Sequence, residues 1–327
     1  MTEVDVELDR NSDEYNNDFL NYSSYFYKDK ALFGSYPTQR QVNILQSNGV
    51  KIFVNLTEEG EKLPEYEVKN LKLNYPIADR KVPTDYKRFS GFIIYVSRII
   101  KNLKNNKIYI HCRGGHGRAG LVVSCILSYM ERMTSYTALD LTSKYHNNRK
   151  IMRECWRKIG APQTRDQHNF VKRLCGFFYF SKAYPFGRTA GLSVFSEHPI
   201  VLPDLGRFPT SEAAFQAFRN PGDEEYLEKQ RNSINAHRAR IIGESYKDTR
   251  ENWDKEKDSI MLTIINEKVK QNFIVKNNLE STFLKYIVFK NKDIYWGCDN
   301  ETGCNRLGEI LMKVKEESLI QNYLNSL

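Results

Sequence analysis

From Ala31 onward the apolar positions switch between two periods. Thr38 to Ser47 carries them at helical spacing, and Lys51-Ile52-Phe53-Val54-Asn55-Leu56 is a short run suited to a buried strand. Leu71 to Ile77 predicts a second strand. Pro83-Thr84-Asp85 is a helix start, and behind it Phe89, Phe92, Ile93, Val96, Ile99 and Ile100 recur at helical spacing. Lys107 to His111 predicts a further strand that runs straight into a glycine-rich segment, after which Leu121, Val122, Cys125, Ile126 and Tyr129 mark a buried helix. Strands alternating with helices predict an α/β domain, a mostly parallel central sheet flanked by helices, with ligands at its carboxyl edge.

The pattern changes between Phe177 and Gly191, where aromatic residues, Pro and Gly collect, and a domain boundary is expected there. Beyond it the chain is mainly helical: Ser211–Arg219, Glu224–Glu244, Asp258–Gln271 and Leu307–Glu317 all carry helical spacing. Before Ala31, charge and Asn dominate. The expected organisation is a flexible acidic arm over 1–28, one domain over 29–180 and a second over 181–327.

Composition adds a preference for anions. The 327 residues are 40% hydrophobic, enough for two cores, and carry a net charge of +9, which favours phosphates, nucleotides or nucleic acid as ligands. The six cysteines form no CxxC pair and no zinc-ligand spacing, so reduced thiols, no metal and no cofactor are expected. The amino terminus is acidic and polar, unlike a signal peptide, and no apolar run approaches the roughly 20 residues that span a bilayer. Those two features point to a cytoplasmic protein without a membrane partner.

The glycine-rich segment, His111-Cys112-Arg113-Gly114-Gly115-His116-Gly117-Arg118-Ala119-Gly120, holds the chemistry. Five residues separate Cys112 from Arg118. A strand-to-helix loop can turn successive backbone N–H groups inward around a phosphate, and the helix N-terminus adds positive potential. Gly114, Gly115 and Gly117 allow the tight path, while Arg118 can grip two oxygens through its planar fork. The same field favours a Cys112 thiolate, the nucleophilic form. Each residue alone is compatible with a packed turn, but the set in this context specifies a phosphate-binding nucleophile. Arg113 and His116 add cationic character, and the backbone of Ala119 and Gly120 completes the loop.

This signature resembles that of the protein tyrosine and dual-specificity phosphatases, over about residues 30–176. The resemblance implies a phosphocysteine intermediate and a phosphorylated protein, nucleotide or nucleic acid as substrate. Asn74-Tyr75-Pro76-Ile77-Ala78-Asp79-Arg80 is similar to the family's general-acid loop, which gives Asp79 the role of proton donor to the leaving oxygen. Asp85 is its rival, although its place suits a helix cap. Pro162 to Gln167 resembles the segment that positions hydrolytic water, with Gln167 the candidate, Gln163 second and a helix cap the alternative. The family usually has Ser or Thr after the arginine, where this chain has Ala119. Loss of that hydroxyl implies a slower hydrolysis of phosphocysteine. Removal of a phosphate from an RNA 5′ end is a second reading, resting on Arg113, His116 and the basic balance.

In the second half, Trp and Gly beside acidic residues can stack a base and approach a ribose, or can equally form a core. The order of its motifs resembles the NADAR (YbiA-like) domain over about residues 184–318, a family linked to N-glycosidic cleavage and ADP-ribose chemistry. By that resemblance Glu212 is the acidic residue, and Phe195, Arg219, Trp253, Asp293, Trp296, Gly297, Asn305 and Gly308 form the ligand pocket. A carboxylate there can orient water or stabilise an oxocarbenium-like ribose. The family has Lys where Arg219 stands and Asn where Val194 stands. Arg219 cannot serve as an amine nucleophile, so the domain is either a glycosidase or a binder of ADP-ribose-like ligands.

Overall fold

β1 (Ser23–Tyr27), β2 (Ala31–Gly34), β3 (Val50–Asn55), β4 (Leu71–Asn74) and β5 (Lys107–His111) form one sheet in the order β1-β2-β5-β3-β4. Only the β1–β2 pair is antiparallel. The structure is a computed structural model, and it describes residues 12–181, 187–299 and 302–327. β5 is the middle strand, and Ile108, Tyr109, Ile110 and His111 are all fully buried, the near-continuous burial expected of a parallel strand covered on both faces.

Register decides where the site lies. His111 pairs with both Gly34 and Asn55, and Asn55 pairs with Asn74, so four strands end in one row. Every loop leaving that row starts at the sheet's carboxyl edge, as the sequence pattern predicts. The helices in this part of the chain are α1 (Asp13–Asn17), α2 (Gln39–Ser47), α3 (Tyr86–Asn102), α4 (Gly117–Met130), α5 (Ser135–Asn147), α6 (Glu154–Ile159) and α7 (Arg165–Leu174). α4 is the central one, packed by α3, α5 and α7 and buried along nearly its whole length. Asp85 caps α3, accepting from the Arg88 N–H at 2.9 Å, the cap that its place in the sequence suits.

Two expectations need correction here. Residues 12–27 of the expected arm are folded: Ser12 caps α1, a 3₁₀ turn covers Phe19–Asn21, and β1 is the sheet's edge strand. Tyr15 and Tyr22 are the apolar anchors that composition hides, since both sit in a core with Leu32, Val42, Phe53 and Tyr109. The boundary also moves from 180 to 176. The chain divides into one compact unit ending at Gly176 and a second starting at Phe177. Phe177–Phe180 belongs to the second because it is strand β6, paired in parallel with a strand far along the chain, β9 (Tyr286–Phe289).

The second unit is mainly helical around two short sheets, β6–β9 and β7 (Ile200–Leu202) with β8 (Gly206–Phe208). Its helices are α8 (Ser211–Ala217), α9 (Glu224–Arg231), α10 (Ala236–Ser245), α11 (Trp253–Gln271), α12 (Phe273–Glu280) and α13 (Arg306–Leu324). The single helix expected over Glu224–Glu244 is two. The chain leaves the helix at Asn232, and Asn235 caps a new one by accepting from the Arg238 N–H.

Candidate functional sites

Cys112 leaves the end of β5 almost fully buried, and Gly117 opens α4 five residues later. Gly115 has φ +72°, and a Cβ there would lie 2.3 Å from the Gly34 carbonyl carbon, so only glycine lets the loop pass the end of β2. The Tyr36 N–H donates to Arg113 O at 3.1 Å and fastens the same neighbour to the loop. Below the loop, His111 is a neutral imidazole. Burial, then the charges of Lys72 and Arg118, lower it to about 3, and its Nε2 meets the Tyr66 hydroxyl at 2.5 Å.

Arg118 is 2% exposed and heavily bonded. Its Nη1 donates to Glu61 Oε1 and to Ile77 O at 3.0 Å; its Nη2 donates to Glu61 Oε2 at 3.0 Å and lies 3.0 Å from Asp79 Oδ1. The Nε–H donates to no group among the described residues. Three loops from the carboxyl edge therefore meet on one guanidinium: Glu61 from after β3, Asp79 from after β4 and Arg118 itself from after β5. Burial works against the Arg118 charge, but the Glu61 hydrogen bond, followed by Cys112 and Asp79, holds it above the usual guanidinium range. Burial likewise opposes the Glu61 charge, and the Arg118 hydrogen bond more than offsets it, keeping that carboxyl below its ordinary range.

The remaining loop candidates divide. Arg113 is exposed at the rim. His116 is turned away from the loop's mouth: its ring stacks on Trp156 at 4.7 Å and its Nδ1 meets His146 Nε2 at 2.7 Å. Gln167 is fully buried as the third residue of a capping box, its Oε1 accepting from the Gln163 and Thr164 N–H groups and its Nε2 donating to Lys81 O. It ties α7 to the Asp79 loop, and the helix-cap alternative describes its contacts.

The second unit contains a cavity of about 240 Å³ lined by Phe195, Phe215, Trp253 and Trp296 and by Glu212, Arg219 and Arg240 among others. Thr210 caps α8, which brings Glu212 into the first turn, 1% exposed. Glu212 Oε1 accepts from Gln216 Nε2 at 2.9 Å and from Arg240 Nε at 3.0 Å. Arg219 lies over the Trp253 ring and donates to Gln216 Oε1 at 2.6 Å, so one amide links acid and base. Arg240 in turn covers the Phe195 ring at 4.6 Å. An acidic side chain beside an aromatic slot, with two guanidiniums, suits a ligand that joins a flat ring to a phosphate-bearing sugar.

Two family models match this chain: the Swiss Army Knife protein DSP-PTPase phosphatase domain at residues 21–171, and the NADAR domain at residues 177–318. "Putative tyrosine phosphatase 067L" of Invertebrate iridescent virus 3 is 38% identical over 170 residues, which are 50% of this chain and 70% of that one. N-glycosidase YbiA of Escherichia coli is 31% identical over 160 residues, 48% of this chain and 96% of that one. The chain joins a tyrosine and dual-specificity phosphatase domain to a NADAR domain. The NMR structure of E. coli YbiA aligns with a TM-score of 0.40 at 28% identity, covering 44% of this chain and 86% of that one.

Within the NADAR domain, Phe195, Glu212, Arg219, Trp253, Asp293 and Trp296 line the cavity, whereas Gly297, Asn305 and Gly308 do not. Asn305, at φ +49°, accepts from the Phe289 N–H and donates to Ile287 O, pairing with β9 as a strand would. A Cβ at Gly308 would lie 2.4 Å from Ile287 O, and one at Gly297 would lie 2.9 Å from Phe289 O. These three hold the backbone behind the pocket wall. Sequence reasoning missed Gln216, Arg240 and Lys257 on the NADAR side, and Glu61 and Arg149 on the phosphatase side. Glu61 was within reach of a reader who asks what balances a buried arginine. Arg240, 28 residues from Glu212, leaves no local signal.

Proposed function

We propose that the phosphatase domain hydrolyses phosphomonoesters through Cys112, Arg118 and Asp79. The Cys112 Sγ attacks phosphorus, forming an S–P bond as the ester O–P bond breaks. Asp79 gives its proton to the leaving oxygen, and water then cleaves the S–P bond, releasing inorganic phosphate and restoring the thiolate. The single observation that carries this reading is the Asp79 carboxylate 3.0 Å from Arg118, at the loop that holds Cys112. A cavity beside the loop, lined by Glu58, Glu59 and Glu65 against Lys72 alone, disfavours a polyanion and thus the RNA 5′-end reading. A panel of phosphotyrosine and phosphothreonine peptides, nucleotides and triphosphorylated RNA tests the proposal. Phosphate release by wild type and none by Cys112→Ser is expected; no release from any substrate by wild type rejects it.

The NADAR domain is read as acting on an N-glycosidic bond of an ADP-ribose-like ligand, with Glu212 orienting water or stabilising the developing ribose cation. The support is Glu212's place among aromatic rings with Arg219 and Arg240 beside it. Arg219 then holds phosphate rather than attacking. Free base released by wild type but not by Glu212→Gln is the expected result, and binding without release by both leaves a ligand-binding domain.

A further inference from the structure

Arg149 follows α5 and is 3% exposed, yet among the described residues no carboxylate stands within ion-pair distance of it. Its Nη1 donates to Gly114 O at 3.3 Å and its Nη2 to Gly115 O at 2.5 Å, while the guanidinium lies over the Phe33 ring at 5.1 Å. In a trans peptide the C=O and the following N–H point in opposite directions. Drawing the Gly114 and Gly115 carbonyls toward Arg149 therefore directs the Gly115 and His116 N–H groups the other way, into the loop. The Gly115 N–H has no backbone acceptor among the described residues.

A buried cation without a counter-charge is strongly disfavoured. The ionisable groups facing Arg149 are Tyr109 of β5, Cys112, Tyr15 of α1, Arg157 of α6 and His146 of α5. Burial holds His146 neutral at about 3, and it keeps the Tyr109 phenol protonated, so of these groups only Cys112, in the thiolate form that the phosphatase reading requires, can face Arg149 with a negative charge. Burial lowers Arg149 only to about 10, so it stays charged at neutral pH.

Resting on the phosphatase reading above, we propose that Arg149 is a positioning residue of the phosphate loop: its two donated bonds aim the Gly115 and His116 N–H groups at the phosphate, and its charge supports the Cys112 thiolate from beneath. Arg118 grips the phosphate from the front, and Arg149 sets the shape and charge of the cup from behind.

The test reads alkylation of Cys112 by iodoacetamide, followed by the mass of its peptide, with and without inorganic phosphate as protectant. It needs no turnover, so it remains decisive even if the domain releases phosphate from nothing. In Arg149→Met, alkylation near neutral pH is expected to slow about tenfold while the alkaline limit stays unchanged, and protection should need about tenfold more phosphate. Arg149→Lys keeps the charge but not the paired geometry, so alkylation should remain near wild type while protection weakens. Wild-type alkylation and protection in Arg149→Met would overturn the proposal. If Arg149→Met loses its cooperative thermal transition, Arg149→Lys decides: weaker protection supports the proposal, and unchanged protection overturns it.

Discussion

Glu61 presents both carboxylate oxygens to the two Nη atoms of Arg118 and leaves Nε as a donor with no partner among the described residues. A phosphate that binds bidentately while Glu61 stays in place takes the Nε–Nη2 edge, and the Asp79 Oδ1 lies 3.0 Å from that Nη2. Phosphate binding and release of Asp79 from Arg118 become one exchange. Glu61→Ala should leave the guanidinium mobile in a buried site and lower kcat/KM about tenfold or more, with Glu61→Gln intermediate. Steady-state kinetics on one phosphoester settles it, and unchanged kcat/KM in Glu61→Ala would remove Glu61 from the phosphate site.

Asp79→Asn removes the proton but keeps the shape. Its effect should depend on the leaving group: a loss of about 100-fold in kcat for an alkyl phosphate, and little loss for an activated aryl phosphate that needs no proton. A uniform loss across leaving groups would instead make Asp79 a binding residue.

Ala119 is fully buried in the first turn of α4, where relatives of the wider family carry a hydroxyl. Ala119→Ser should restore a donor to the departing thiolate and speed phosphocysteine hydrolysis about tenfold. Rapid-quench kinetics would show the wild-type burst followed by slow turnover, and a smaller burst relative to turnover in the variant. If the variant turns over no faster, the second chemical step is not what Ala119 limits.

Glu212→Gln should retain ligand binding within about tenfold but lose base release by about 100-fold, since an amide still accepts from Gln216 and Arg240. Arg240→Met strips a partner from a buried carboxylate, and because Arg240 is itself about one third exposed the expected destabilisation is about 1–2 kcal/mol. Calorimetry with ADP-ribose and denaturant melts separate the two effects.

Two buried lysines set a pH dependence for the NADAR domain. Lys268 donates to Ser193 O and Ser196 Oγ, Lys315 donates to Lys285 O, and burial lowers each from 10.5 to about 7. Between about 7 and 10.5 the unfolded chain holds protons that the folded chain does not, so stability should rise with pH across that window. Thermal melts of wild type should show that slope and those of Lys268→Met with Lys315→Met a flatter one. Equal slopes would mean that both ammonium groups stay charged when folded.

The parallel sheet and the nucleophile loop were legible because both are local: apolar runs mark strands, and the Cys112–Arg118 spacing lies in one turn of chain. The neighbours of Asp79 in sequence singled it out, and the structure puts its carboxylate beside Arg118. Glu61 and Arg149 were not legible, because each is defined by a partner 57 or about 35 residues away, and such pairing leaves no period in the pattern. The arm misled for another reason. Asn and charge dominate residues 1–28 taken together, yet Tyr15 and Tyr22 are buried in the core, with Phe19 and Tyr25 packed against it. In the NADAR domain, motif glycines and Asn305 marked backbone geometry rather than ligand contacts, a distinction only coordinates draw.

β6 begins on the residue after Gly176, so the two domains are joined without a spacer and the first strand of one starts where the other stops. That has a practical side for anyone separating them. A cut after 176 gives two pieces with their secondary structure whole. A cut a few residues later, at the aromatic and glycine-rich stretch that the sequence advertises, sends β6 away with the phosphatase as a sticky aromatic tail. It would also strip β9 of its only partner strand among the described residues, exposing Phe289 and an open row of backbone groups. Poor solubility of a NADAR fragment beginning near residue 181 would then reflect where the chain was severed rather than any inability of the domain to stand alone.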